Sequence, residues 1–124
     1  MEIDAKYTVL CAVYMEYQRD IPDMVELTPE MLQMDFRMFV SAFLKLQNER
    51  LIDGVKTFPP NAHAEPRALI LEGVMPTVNG ISQIEAKFGI DPSGTGREKL
   101  QHLQAKFTEQ GLSVLHGIAA EMLR

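Results

Sequence analysis

The order of structural signals between residues 26 and 80 constrains the fold of this chain more than any other feature. A Thr-Pro-Glu sequence starting at Thr28 is typical of a short capped helix, and Asp35 can cap a second helix almost immediately after it. The pattern then changes to β-branched and apolar residues on either side of a proline-rich segment at 59–66, which predicts two strands joined by a loop. Two closely spaced helices followed by a hairpin predict a winged helix-turn-helix, in an α+β fold that is mainly α-helical.

Further helices are predicted on both sides of this motif. Apolar residues three and four positions apart indicate a first helix over residues 4–18, and Thr77 can cap another helix that ends at Gly89. After a short linker, Thr95 and Glu98 form a capping box. Apolar residues then continue at helical spacing to the end of the sequence, which predicts one last helix of about 28 residues and ~40 Å.

This last helix is longer than a small core can cover, so we expect part of it to pack on a second copy of the chain. The sequence is therefore divided into a winged-helix domain at 1–90 and, at 91–124, a linker with a dimerisation helix. The candidate dimerisation residues form one apolar stripe: Leu100, Leu103, Phe107, Val114, Leu115, Ile118 and Met122.

The second helix of the motif has two faces of different character. At about 100° per residue, the apolar residues fall on an inner arc, predicted to face the core: Phe36, Phe39, Val40, Phe43, Leu44 and Leu46. The outer arc carries Arg37, Met38, Ser41, Lys45 and Asn48. Cations, hydroxyls and amides are side chains that contact phosphates and base edges, so the outer arc is typical of a recognition helix. An ordinary solvated helix face has the same composition.

A DNA-binding interpretation adds residues outside this helix. Lys56 and Arg67 flank the hairpin tip, where they can reach a phosphate backbone, although charges there also keep an exposed hairpin soluble. The candidate DNA-binding residues are Gln33, Arg37, Ser41, Lys45, Asn48, Lys56 and Arg67.

The net charge argues against simple DNA binding. The chain has 12 basic and 17 acidic residues and a formal net charge of -5, whereas nucleic-acid-binding domains are usually basic. Two functions remain open. One is a dimeric winged-helix regulator that binds double-stranded DNA, which analogy of fold favours. The other is a protein-interaction module of phage or prophage type, in which a partner contacts the acidic surface and Met24, Met31, Met34 and Met38.

The sequence contains no recognisable catalytic, metal-binding or cofactor-binding motif. His102 and His116 lie fourteen residues apart on the predicted last helix, which places them about 21 Å apart, too far to share a metal ion. We therefore expect a protein that is not an enzyme and needs no cofactor. The N-terminal residues do not resemble a signal peptide, no apolar run is long enough to cross a membrane, and the single Cys11 lies in an apolar helical pattern. These features predict a cytoplasmic protein with Cys11 in its core.

Part of the sequence resembles the YjcQ-like group of small winged-helix proteins of Gram-positive bacteria and their prophages. The matching motifs are Phe36, Phe43-Leu44-Lys45, Leu51-Ile52-x-Gly54-Val55 and Thr77-x-x-Gly80-x-x-x-Ile84. The resemblance covers about residues 5–90 and departs from the family pattern at Pro76, where a leucine is usual, and in the length of the last helix. It implies a winged-helix shape and defines no activity.

Overall fold

The computed structural model describes residues 3–60 and 65–124. In this part of the chain the α-helices are α1 (Ala5–Tyr17), α2 (Phe36–Asn48), α3 (Val78–Phe88), α4 (Gly96–Glu109) and α5 (Ser113–Met122). The strands are β1 (Ile52–Asp53), β2 (Lys56–Phe58), β3 (Ala68–Ile70) and β4 (Met75–Pro76), and a 3-10 turn spans Met24–Glu26. The fold is therefore mainly α-helical with a small β component, in agreement with the predicted class.

Helix α1 lies at the centre of the molecule. Asp4 caps its first turn, because the Asp4 carboxylate accepts a hydrogen bond of 2.9 Å from the backbone N–H of Tyr7. All residues from 9 to 16 are buried, including Cys11, whose core position is confirmed. The apolar spacing that predicted this helix indicates one buried face, but burial extends around the whole helix, since α2, α3 and α5 all pack against α1.

The first helix predicted for the helix-turn-helix is only a single turn. Thr28 caps it as expected, and its hydroxyl accepts a hydrogen bond of 3.1 Å from the backbone N–H of Met31. The turn ends at Gln33, whose φ is 53°. The Met34 N–H reaches back to the Pro29 carbonyl at 3.1 Å, the pattern that closes the C-terminus of a helix. The chain therefore leaves the helical conformation five residues after the cap.

Helix α2 has the predicted cap and the predicted outer face. Asp35 accepts from the Met38 N–H at 2.8 Å, and the outer-arc residues Arg37, Met38, Ser41, Lys45 and Asn48 are all exposed. The inner arc is narrower than predicted, because Phe36 and Leu44 are 38% and 40% exposed. Phe36 is the first residue of the helix and Leu44 lies at the edge of the arc, so neither reaches the core.

The four strands form one interrupted antiparallel hairpin, in which β1 pairs with β4 and β2 pairs with β3. The side-chain amide of Gln47 ties this hairpin to α2: it accepts from the Val55 N–H at 2.6 Å and donates to the Val55 carbonyl at 3.4 Å. Strands β2 and β3 flank the predicted loop at 59–66, which we call the hairpin tip. Its residues 61–64 are outside the described part of the chain.

Helix α3 begins and ends at the predicted residues. The Thr77 hydroxyl accepts from the Gly80 N–H at 3.1 Å, and Gly89, with a φ of 64°, ends the helix. Gly80 cannot carry a side chain, because a Cβ there would overlap the carbonyl oxygen of Leu51. The Thr-x-x-Gly pattern therefore combines a helix cap with close packing of α3 on the start of the hairpin.

The prediction of one long C-terminal helix was wrong, since this region forms two helices. The break lies at Gly111, where φ is 72° and the Leu112 N–H bonds to the Phe107 carbonyl at 2.8 Å. Helix α5 then returns alongside α4, so that Arg97 at the start of α4 donates to the Leu123 carbonyl at 3.2 Å. The capping box predicted for α4 is present.

The candidate dimerisation residues lie in the core of their own chain. Five are buried: Leu100, Leu103, Phe107, Leu115 and Ile118. Val114 and Met122 are half-buried against the same cluster. This cluster also contains residues of α1, α2 and α3, so a single core crosses the predicted domain boundary at residue 90. The structure thus lacks the uncovered length of helix on which the dimer prediction depended.

Candidate functional site

A groove of about 1120 Å³ runs between α2 and the hairpin. We call it the α2–hairpin groove. Helix α2 forms one wall and the residues on either side of the hairpin tip form the other. Gln47 and the N-terminal end of α3 hold the two walls in place, because Gln47 bonds to Val55 and the Thr77 hydroxyl donates to the Arg50 carbonyl at 2.7 Å.

Helix α2 contributes two parallel rows of side chains to the groove. The apolar row consists of Phe36, Val40 and Leu44, and the polar row consists of Arg37, Ser41, Lys45 and Asn48. Helical residues four positions apart share a face and rise about 6 Å, so each row follows the length of the groove. The exposed apolar surface of Phe36 and Leu44 therefore lies directly beside a line of cationic and polar groups, and Val40 between them is 6% exposed.

The hairpin wall is also partly apolar. Its lining residues are Phe58, Pro59, Glu65, Pro66 and Arg67. Phe58 is 58% exposed, and its carbonyl accepts a hydrogen bond of 2.8 Å from the Arg67 N–H, which closes the base of the tip. Phe58 on the hairpin and the apolar row on α2 therefore offer apolar surface from both sides of the groove.

An ion pair connects the two walls at one end of the groove. The Nε of Arg37 lies 3.7 Å from an oxygen of Glu65, and the two side chains are 87% and 80% exposed. Exposed ion pairs contribute at most about 1 kcal/mol, because water screens them and both side chains lose freedom. This pair can therefore open at little cost.

Five of the seven candidate DNA-binding residues converge on this groove, namely Arg37, Ser41, Lys45, Asn48 and Arg67. The other two do not. Lys56 is exposed on β2 outside the lining residues. Gln33 lies on another surface, beside Leu112 and Ser113, because it ends the single turn before α2.

Sequence analysis missed the apolar row as part of a site. Phe36 and Leu44 follow the same helical spacing as the core residues of α2, and spacing alone does not separate a core face from a groove wall. The missing signal is tertiary, since only the position of the hairpin shows that this edge of α2 is left accessible.

The four methionines of the protein-interaction hypothesis do not form one surface. Met24 is buried and Met34 packs against the core. Met34 and Met38 line one depression of the surface, and the exposed Met31 lines a different one. The depression that Met34 and Met38 share, of about 340 Å³, is much smaller than the α2–hairpin groove.

A buried polar cluster joins α1, α3 and α4 away from the groove. The Tyr14 hydroxyl donates to an oxygen of Glu85 at 2.8 Å, and the Lys99 ammonium lies 2.8 Å from the same oxygen. Burial, together with the hydrogen bond to Glu85, raises the pKa of Tyr14. The three groups satisfy one another, which indicates a structural role.

Other chemistry-bearing side chains are also occupied or shielded. The Nε2 of His102 lies 3.0 Å from the Phe88 carbonyl. Burial raises the pKa of the Cys11 thiol to about 12, which keeps it protonated and weakly nucleophilic near neutral pH. Among residues 3–60 and 65–124, no three His, Cys, Asp or Glu side chains are grouped closely enough to hold a metal ion. The helices of this described part are too short or too polar to span a membrane.

Comparison with protein-family models, with curated proteins and with solved structures found no match. The resemblance to the YjcQ-like winged-helix group therefore stays a prediction. Function has to be inferred from the groove and its side chains.

Proposed function

We propose that the protein is a non-enzymatic interaction module that binds a segment of another protein in the α2–hairpin groove. The observation that carries this proposal is the exposed apolar surface of Phe36, Leu44 and Phe58 inside a groove with a charged rim. Protein interfaces combine an apolar centre with a polar rim, and grouped exposed apolar side chains mark binding surfaces. Removing the exposed part of each of these side chains from water would contribute about 2 kcal/mol.

The order of the elements supports a winged-helix variant as the scaffold. The single turn, α2 and the hairpin follow one another like the first helix, recognition helix and wing of that fold. In the proposed variant the first helix of the motif is reduced to one turn, and the residues that flank the hairpin tip lie close to α2. We place the protein in the cytoplasm, where a free thiol such as that of Cys11 is common.

Binding of duplex DNA is the second candidate function, and one observation favours it. The polar row is exposed on α2 and contains the side-chain types that read a major groove. Two observations weigh against it. The net charge of -5 repels DNA, and the adjacent apolar row has no favourable contact with phosphate groups. A protein segment uses both rows, so we prefer a protein partner.

Two double variants separate these candidates. Leu44→Ser/Phe58→Ser removes apolar groove surface, and Arg37→Ala/Lys45→Ala removes cations from the polar row. All four residues are exposed, so both variants are expected to fold like the wild type. Circular dichroism and urea unfolding check this before binding is measured.

A third double variant, Ile21→Ser/Val78→Ser, is the matched control, because it removes two exposed apolar side chains outside the groove. Each immobilised protein is offered a displayed library of random dodecapeptides and, separately, a pool of fluorescent DNA duplexes at low and moderate salt. We expect the wild type and the control to enrich peptides and the Leu44→Ser/Phe58→Ser variant to enrich none. Salt-sensitive duplex binding that depends on Arg37 and Lys45, without peptide enrichment, would establish the DNA-binding candidate instead.

A further inference from the structure

We propose that the segment bound in the α2–hairpin groove is acidic and amphipathic, and that Glu65 competes with its carboxylates for Arg37. This inference rests on the proposed function and names the chemistry of the partner. The charge of the groove differs from that of the whole chain. The chain as a whole carries a net charge of -5, yet the described lining of the groove contains three cations, Arg37, Lys45 and Arg67, and one carboxylate, Glu65. The groove is therefore a cationic site on an acidic protein, and it favours an acidic occupant.

The two rows on α2 also define the pattern of side chains that an occupant needs. From Arg37 to Asn48 the polar row extends about 16 Å along the helix axis, and the apolar row runs beside it. A segment that fills both rows needs carboxylates along one edge and apolar side chains along the other. That length fits about five extended residues, at ~3.3 Å each, or three helical turns, at ~5.4 Å each.

Glu65 already places one such carboxylate beside the polar row, within the chain itself. Its carboxylate approaches Arg37 at 3.7 Å from the opposite wall, as a carboxylate of the partner would. Both side chains are largely exposed, so the pair is weak and a partner can displace Glu65. Because the displaced pair opposes binding, removing the charge of Glu65 is expected to increase affinity for an acidic segment.

Single-stranded nucleic acid is the main competing occupant, since exposed aromatic side chains beside cations can stack bases and neutralise phosphates. The aliphatic and proline surface of Leu44, Pro59 and Pro66 favours a protein segment over stacked bases. Oligo(dT) is therefore included in the experiment as a competing ligand.

The peptide selection described above also tests whether the enriched peptides are acidic. Dodecapeptides are selected on the immobilised wild type after removal of those that bind the Leu44→Ser/Phe58→Ser variant. We expect the enriched sequences to combine two or more Asp or Glu residues with Leu or Phe. A synthetic enriched peptide should bind the Arg37→Ala/Lys45→Ala variant at least tenfold more weakly.

The role of Glu65 is tested with a pair of charge-matched variants. Glu65→Gln should bind the same peptide about two- to fivefold more tightly, the range expected from loss of one exposed ion pair. Glu72→Gln changes the net charge equally but lies outside the groove lining, so its affinity should equal that of the wild type. If both variants change affinity equally, Glu65 does not compete for Arg37.

The remaining outcomes distinguish failure of this inference from failure of the proposed function. Groove-dependent peptides of neutral or basic composition would overturn the acidic partner and leave the protein-binding function standing. Absence of any groove-dependent peptide, or preferential binding of oligo(dT) or duplex DNA, would overturn both.

Discussion

At the residue scale, the buried carboxylate of Glu85 depends on polar partners from two other helices. The Tyr14 hydroxyl and the Lys99 ammonium both lie 2.8 Å from one of its carboxylate oxygens. A buried carboxylate is costly unless such bonds replace its contacts with water. This cluster therefore couples α1, α3 and α4 through specific polar contacts in addition to apolar packing.

We expect the Tyr14→Phe substitution to lower the free energy of unfolding by about 2 kcal/mol, because it removes a buried hydrogen bond to a charged group. Urea unfolding measures the change. Tyr7→Phe is the control, since the Tyr7 hydroxyl makes only a long contact of 3.4 Å to Gln83 near the surface. It should change stability by less than about 0.5 kcal/mol. Equal losses in the two variants would contradict the structural role of the cluster.

The buried thiol of Cys11 gives a dependence of stability on pH. Burial raises its pKa from 9.0 to about 12, so above pH 9 the unfolded chain loses a proton that the folded chain retains. The Cys11 thiol therefore leaves the free energy of unfolding unchanged below pH 9. It lowers this free energy as the pH rises from 9 towards 12. Urea unfolding across this range should show a steeper decline for the wild type than for Cys11→Ala. Identical declines, or rapid reaction of the native thiol with a thiol reagent at neutral pH, would be inconsistent with this burial.

At the element scale, most helices were predictable from caps and spacing. Asp35, Thr77 and Thr95 each cap the helix that the sequence assigned to them, because a cap needs only local contacts. The break at Gly111 was missed because Leu100, Phe107, Leu115 and Ile118 keep a helical spacing across it. Glycine followed by leucine is a helix-ending signal, but the continuous apolar stripe outweighed it.

Two glycine substitutions of opposite expected sign test this break. Gly111 has a φ of 72°, so alanine there should destabilise the protein by about 1 kcal/mol. Gly117 lies inside α5 with open space around it, so alanine there should stabilise by about 0.5–1 kcal/mol. Urea unfolding of both variants measures the sign of each change in the free energy of unfolding. Stabilisation by Gly111→Ala would indicate the continuous helix that the sequence predicted.

At the scale of the whole molecule, folding of α5 back along α4 changes the expected oligomeric state. The apolar stripe assigned to a dimer is covered by the chain itself. We therefore expect sedimentation equilibrium to give the monomer mass of 14.0 kDa. A stable dimer that is lost in a Val114→Ser/Met122→Ser variant would restore the predicted dimer interface.

The candidate site was only partly predictable at this scale. The exposed polar row of α2 follows from helical spacing alone, and the structure places it as expected. The opposing hairpin wall and the accessible apolar row depend on where the hairpin packs, which is determined by contacts such as Gln47 with Val55. Local patterns carry no information about such tertiary contacts, so the sequence alone indicated DNA contacts and left the apolar half of the groove in the core.

Amide chemical-shift mapping shows whether a bound peptide lies in the α2–hairpin groove. Isotope-labelled protein is titrated with a peptide that the wild type and the Ile21→Ser/Val78→Ser control both enrich. We expect the largest shift changes in α2 and in strands β2 and β3, which frame the groove. Largest changes in α4 and α5, or around the turn that ends at Gln33, would contradict the assignment of the α2–hairpin groove as the binding site.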